Sequence, residues 1–286
     1  MSVISSFTVT PNRILITFEY LNSLGDSGER KDKLRRQLQV GEGTSIIDGV
    51  LSEMKNLGLT EEVERKISLK KELLKSSSTK IDLKNFLYEI LLKKLTNDSE
   101  ADECKQKELP SYLALLLSMN PYVPIEWSGD EFSKIKTKLV NQEIKLLENS
   151  RNDALLQNLV YWSKYLGFIS YVADKYFVPD PTKVISKNLS NIFHKKKLPI
   201  DEFQSRLGVQ IPVLEGGTVR KEIESKLNVE FQREELHFSR STSLALKRLD
   251  TRGVIKLKKY SDGEDWILDL GKVKQNVSHI EYKKGN

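Results

Sequence analysis

Cysteine occurs once in the 286-residue chain, as Cys104. A lone thiol excludes an internal disulfide framework and a zinc finger, each of which needs several, and it suits a reducing compartment. Histidine is nearly as sparse: the three residues lie far apart with no HExxH pair, so no metal-ligand set assembles. No apolar run approaches the roughly 20 residues that a membrane-spanning helix needs. The opening MSVISSFTVTPNR lacks the basic-then-apolar order of a secretory signal. A GxxxxGK(S/T) phosphate loop is missing, and Gly216-Gly217-Thr218 reads as a turn and helix cap instead. These absences predict a cytoplasmic, non-enzymatic protein with no metal, no cofactor and no membrane.

Charge is what the chain has in plenty. Charged residues make up 30% and hydrophobic ones 38%, the balance of a soluble globular chain long enough for two or three small domains. A net charge of +6 permits a polyanionic partner, and its location says more than its sum. From Arg240 to Lys259 seven cations, Arg240, Lys247, Arg248, Arg252, Lys256, Lys258 and Lys259, stand against one acid, Asp250.

The surrounding stretch, Phe238 to Leu270, reads as a capped helix, a glycine stop and two strands. Ser239 or Ser241 caps the helix by accepting from unpaired first-turn N–H groups. Helical spacing puts Thr242, Ala245, Leu246 and Leu249 on one face and Arg240, Ser243, Leu244 and Lys247 on the other. Gly253 stops the helix; Val254, Ile255 and Leu257 lead to the turn Ser261-Asp262-Gly263, and Trp266, Leu268 and Leu270 alternate on the return. This predicts the recognition helix and wing of a winged helix. Arg240, Ser243 and Lys247 would enter the major groove of double-stranded DNA, where Arg and Lys donate to guanine edges. Lys256, Lys258 and Lys259, with Lys195, Lys196 and Lys197 upstream, would hold phosphates. Ser241, Arg248 and Arg252 complete the candidate DNA-binding set.

Degraded forms of the same pattern occupy 51–69 and 159–181. The expected fold class is therefore mainly α with small β-wings, an α+β chain of tandem winged helix-turn-helix units joined by helices. Residues 1–75 form the first unit, with a helix opened by Thr10-Pro11, a basic helix around Arg30 to Leu38, and a helix after Thr44 whose outer face is not basic. Residues 76–108 form a helical connector, with Ile81, Phe86, Ile90, Leu91 and Leu95 as its buried face. Residues 109–193 form a middle unit in which two helices follow Gly129. Leu155, Leu159, Trp162 and Leu166 recur at core spacing in the second of these helices. Three bases balance three acids from Arg151 to Asp180, which predicts a protein-contact or spacer role. Residues 194–270 form the basic third unit, in the order helix, strand VQIPVL, helix, helix, strand, strand. Residues 271–286 read as a mobile basic tail.

Pro179-Asp180 followed by Glu224-Ser225-Lys226 matches the PD-(D/E)xK nuclease pattern poorly. Two carboxylates must share a metal there, with Lys on a neighbouring strand, whereas Glu224 falls on a predicted helix in another unit.

Thr10-Pro11-Asn12-Arg13-Ile14, together with Tyr165-Leu166-Gly167-Phe168 leading to Val178-Pro179-Asp180-Pro181-Thr182, resembles the DpdG family. Members accompany the bacterial system that places 7-deazaguanine bases in DNA and restricts unmodified DNA. The resemblance implies a phage-defence accessory protein without a catalytic site, working with larger helicase or nuclease partners. It transfers no functional residues. The expected function is a DNA-binding adaptor within a defence complex, with a homodimer as one arrangement. The residues leave open a scaffold subunit of a multi-subunit complex, and an autonomous transcription regulator, which would need a dimer and a two-fold operator.

Overall fold

The structure, a computed structural model, describes residues 3–4, 8–38, 45–75, 80–97, 106, 108–126, 153–173, 175–228, 232–261 and 263–283. Helix α1 (Pro11–Leu24) begins as its sequence dictates. Thr10 Oγ1 accepts from Arg13 N at 3.4 Å, Pro11 sits where a missing N–H costs nothing, and Gly25 ends the helix at φ +57°. After it come β1 (Glu29–Arg30), α2 (Lys31–Leu38), α3 (Ser45–Asn56), β2 (Thr60–Val63) and β3 (Lys66–Leu69), with the strands paired in the order β1-β3-β2. Helix α4 (Lys80–Thr96) crosses to α5 (Glu108–Ser118), in which every residue from Leu109 to Leu117 is buried.

Next are β4 (Ile125–Glu126), α6 (Asp153–Leu166), β5 (Ile169–Ala173) and β6 (Tyr176–Pro179), in the sheet order β4-β6-β5. The C-terminal part holds α7 (Thr182–Ile192), β7 (Lys197–Pro199), α8 (Ile200–Gln210), the short α9 (Thr218–Glu224), β8 (His237–Phe238) and α10 (Arg240–Thr251). It ends with β9 (Ile255–Lys258), β10 (Trp266–Asp269), β11 (Lys274–Val277) and β12 (His279–Tyr282). The fold is α+β; among the described residues helices pack around four small sheets, and nearly all the buried apolar residues form one continuous cluster from Val3 to Ile280. In three sheets the strand between the other two is the last in sequence: β3, β6 and β12.

Several expectations are corrected. The strands at 254–270 are not a hairpin: β9 joins the sheet β7-β12-β9, and β10 joins β11-β10-β8, where β8 lies parallel to it. Both alternate as read, but alternation says which face is buried and not which partner is taken. The 271–286 tail is not mobile where described, since it supplies β11 and the central strand β12, with Val277 and Ile280 fully buried. No strand forms at VQIPVL. Helix α8 runs through Gln210, and turns then bury Val213 and Leu214, because the chain must double back at Gly216-Gly217 against Gly208 of α8. A Cβ on Gly208 would meet the Gly216 carbonyl carbon at 2.3 Å, so only glycine permits that approach.

On α4 the buried face is Leu83, Leu87, Leu91 and Leu95 with Tyr88 and Leu92; Phe86 and Ile90 sit at its edge and Ile81 is exposed. That helix is apolar over more than half its circumference, so periodicity leaves the rotation loose. The first of the two helices expected after Gly129 lies outside the described residues, as do Cys104 and Asp262.

Candidate nucleic-acid interface

Helix α10 forms where the sequence puts it. Ser239 is the cap and accepts from Thr242 N at 3.4 Å; Gly253, at φ +71°, follows the last turn. Ala245, Leu246 and Leu249 enter the core as expected. Its opposite face is covered as well. Ser241 is fully buried and its Oγ donates to Leu117 O of α5 at 2.6 Å. Ser243 is fully buried too; its hydroxyl donates to Phe238 O and accepts from Asp269 N at 3.0 Å. Arg240 Nε donates to Asp269 at 2.9 Å, and Lys247 Nζ donates to Gln275 at 3.0 Å. The strands β10 and β11 thus cover Ser243 and tether Lys247 on the face that the sequence reading leaves open, while Arg240 at its start stays exposed.

The assignments of Ser241 and Ser243 to DNA are therefore corrected: a hydroxyl with no solvent access that is spent on backbone groups does not reach a base edge. Serine is small and polar enough to sit on either kind of surface, and the covering segments, α5 over Ser241 and β10 over Ser243, are distant in sequence, where local periodicity does not see them.

The remaining cations divide by company. Arg248 donates from Nη1 to Asp180, which is 5% exposed. Asp180 also accepts from Ser170 Oγ at 2.6 Å, from Thr182 N at 3.1 Å and from Thr182 Oγ1. Burial works against its ionisation, but the Ser170 and Thr182 hydrogen bonds and the Arg248 charge together hold the carboxyl below its ordinary value. The Pro179-Asp180-Pro181-Thr182 stretch thereby ties β5, β6 and α7 to α10. Glu224 accepts from Arg220 and Arg233, so the two acids of the nuclease-like match are engaged separately by arginines. Among the described residues no three His, Cys, Asp or Glu converge as a metal site. Arg252 is exposed beside a cavity of about 270 Å³ shared with Ser170 and Lys183.

Strand β12 gathers the lysines that sequence separates. Its register sets Lys197 opposite Glu281 opposite Lys256, and Pro199 opposite His279 opposite Lys258. Directly opposed residues project from the same face of a ladder. Leu198, Ile280 and Leu257 fill the inner side, so Lys197, Lys256 and Lys258 share the outer one. Lys197 Nζ lies 4.7 Å from the Tyr260 ring centroid. Lys195 pairs with Glu202 at 3.1 Å, Lys256 with Asp250 at 3.3 Å, and Lys259 with Asp265. Among the described residues Lys196 and Lys258 form no ion pair. Exposed pairs of this kind are worth about 0–1 kcal/mol, so their cations remain exchangeable toward a phosphate.

Between α5, α9 and the start of α10 lies an ionic network that the sequence reading missed. Arg220, 2% exposed, donates to Glu224 at 2.8 Å and to Ala114 O at 2.8 Å, with Glu215 3.8 Å away. Full burial would raise the Glu215 carboxyl. The Arg220 charge and the hydrogen bonds from Ser239 N and Thr242 Oγ1 outweigh that and hold it low.

No curated protein and no solved structure matches the chain. A family model matches residues 1–263, nearly the whole length and including α10, β7, β9 and most of the residues just described, and by that match the chain belongs to the DpdG-like family.

Proposed function

We propose that the chain is a non-catalytic DNA-binding adaptor of the 7-deazaguanine DNA modification and restriction system, built from three winged-helix-type units. The order helix, strand, helix, helix, strand, strand fits α1 to β3. Its third form, α7, β7, α8, α10, β9 and β12, carries α9 as one insertion and β10–β11 as another between the wing strands. The described elements of the middle part, α5, β4, α6, β5 and β6, follow the same order of strands. On this reading the third unit begins at α7, which packs on both α8 and α10.

One observation carries DNA contact: the outer face of β7-β12-β9, where Lys197, Lys256 and Lys258 stand together with Lys195, Lys196 and Lys259 beside them. The face suits phosphates rather than bases, because lysine is a point charge on a flexible stem and, on α10, Ser243 is buried under β10 while Arg240 and Lys247 are tied to β10 and β11. Contact would be weakly sequence-dependent and strongly salt-dependent, and selection of target would fall to partner proteins.

The test is a fluorescence-anisotropy titration of a short duplex at several salt concentrations, with the wild type and the variant Lys197→Glu, Lys256→Glu, Lys258→Glu. Each lost phosphate contact should flatten the log–log salt slope by about 0.9, or about 3 in all. A folded variant with unchanged affinity and slope overturns the assignment.

A further inference from the structure

The first turn of α1 and the facing sides of α4, α6, β5 and α7 enclose a cavity of about 850 Å³, open to solvent. Among the described residues five cations line it, Arg13, Lys84, Lys164, Lys183 and Lys187, and no acid does. Among the described residues the four lysines form no ion pair. Two are instead held against rings: Lys164 Nζ lies 3.6 Å from the Tyr171 ring centroid, and Lys187 Nζ lies 3.7 Å from that of Tyr88. Tyr171 is 37% exposed, and Tyr161 and Tyr165 also line the cavity. Among the described residues the buried Tyr165 hydroxyl finds no hydrogen-bond partner. The amino end of α1 adds its positive dipole, with no acid in its first turn to neutralise it. Two of the stretches that resemble the family meet at this place, Thr10 to Arg13 and Tyr165.

Uncompensated ammonium groups crowded together repel one another. Burial, with Lys183 and Lys84 nearby and only Glu89 opposing, lowers the Lys187 ammonium from its ordinary value. An anion would relieve that. Phosphate alone would explain the lysines but not the tyrosines, while an apolar ligand would explain the reverse. A nucleotide chain answers both: its phosphates draw the ammonium groups off the rings, and its unpaired bases take the ring faces so exposed. Duplex DNA does not offer base faces.

We propose that this groove binds a single strand of nucleic acid, with Lys164, Lys183 and Lys187 on phosphates and Tyr171 as a stacking platform. The site shares no residue with the outer face of β7-β12-β9, so the two assignments stand or fall separately.

The experiment is a fluorescence-anisotropy titration of the full chain with a dT oligomer of about 12 nucleotides, within the span usual for such grooves. The equivalent rU oligomer and a duplex of the same length form parallel arms. Circular dichroism and thermal unfolding check each variant. The expected result is single-strand binding that weakens about tenfold or more in Tyr171→Ala, is kept in Tyr171→Phe, and is lost in Lys183→Glu, Lys187→Glu. The Lys197→Glu, Lys256→Glu, Lys258→Glu variant should hold the single strand within about twofold of wild type, since distant independent sites add. Preference between dT and rU then names the strand.

Absence of single-strand binding by the wild type overturns the proposal. So does equal binding by folded groove variants. Loss in the lysine variant with Tyr171→Ala unchanged overturns it as well, because the groove is then a polyanion surface without a place for bases.

Discussion

The cations of residues 240–259 and the lysines around the tyrosine groove carry the same charge in different company. Arg240, Arg248, Lys256 and Lys259 each have a carboxylate of this chain as partner, and the buried Arg220 is enclosed by two. Lys84, Lys164, Lys183 and Lys187 have none among the described residues, and two of them rest on rings. Charge density in a linear sequence marked the first group and passed over the second. Yet a cation already neutralised by its own fold has partly spent its attraction for a ligand, whereas a cluster left uncompensated keeps it. The comparison therefore assigns stability mainly to the pairs with a buried member, Arg248–Asp180 and Arg220 with its two carboxylates, while the exposed Lys256 and Lys259 pairs stay exchangeable and the groove lysines keep their full attraction for an anion.

Substitutions can break that division, and the deepest pair should give the largest effect. Arg220→Met leaves Glu215 ionised and fully buried without its counter-charge, and the expected loss is about 3–5 kcal/mol in urea unfolding. A loss below about 1 kcal/mol, the size of an exposed pair, would mean that the network adds nothing beyond packing.

Arg248→Ala should cost less, about 1–3 kcal/mol at neutral pH, because Asp180 keeps its bonds from Ser170 and Thr182. The sign with pH follows from the depressed Asp180 carboxyl. Its contribution is present above the unfolded aspartate value near 3.9 and is lost as pH falls through the lower folded value. The gap between Arg248→Ala and wild type should narrow below about pH 4, measured as urea midpoints at two pH values. A gap that stays constant would detach Arg248 from that carboxylate.

The smallest effect belongs to the groove. Lys183→Ala and Lys187→Ala should leave stability within about 0.5 kcal/mol of wild type, with any change in the favourable direction as like-charge crowding is relieved. Thermal unfolding decides this; a substantial loss would place these lysines with the structural cations and dissolve the contrast.

How far the sequence carries can be read from α10 and its surroundings. Its cap, its core face and its glycine stop are local, since a hydroxyl accepting from an N–H three residues on and apolar groups at helical spacing involve only one turn of chain. The two alternating strands after it were legible for the same reason. Their partners were not, because β9 and β10 separate into sheets completed by β7, β8, β11 and β12, and pairing is chosen by long-range burial. The Ser241 and Ser243 assignments failed for the same reason: α5 takes the Ser241 hydroxyl, and β10 lies over Ser243. The groove was illegible for a related reason. Its chemistry is divided among residues 10–13, 84–88, 157–171 and 183–187, and within 151–180 the charges cancel, so the balance of the segment hid a cluster that only packing creates.

The sequence by itself determined most of the helices, the caps and stops of α1 and α10, the α+β class and the positions of β9 and β10, because these depend on side-chain periodicity and hydrogen bonds within a few residues. The tertiary structure alone decided which strands pair, which face of α10 is closed, which cations are neutralised and which are left to crowd a groove. Those outcomes depend on distances between segments far apart in the chain, and electrostatic company, unlike periodicity, is set by those distances.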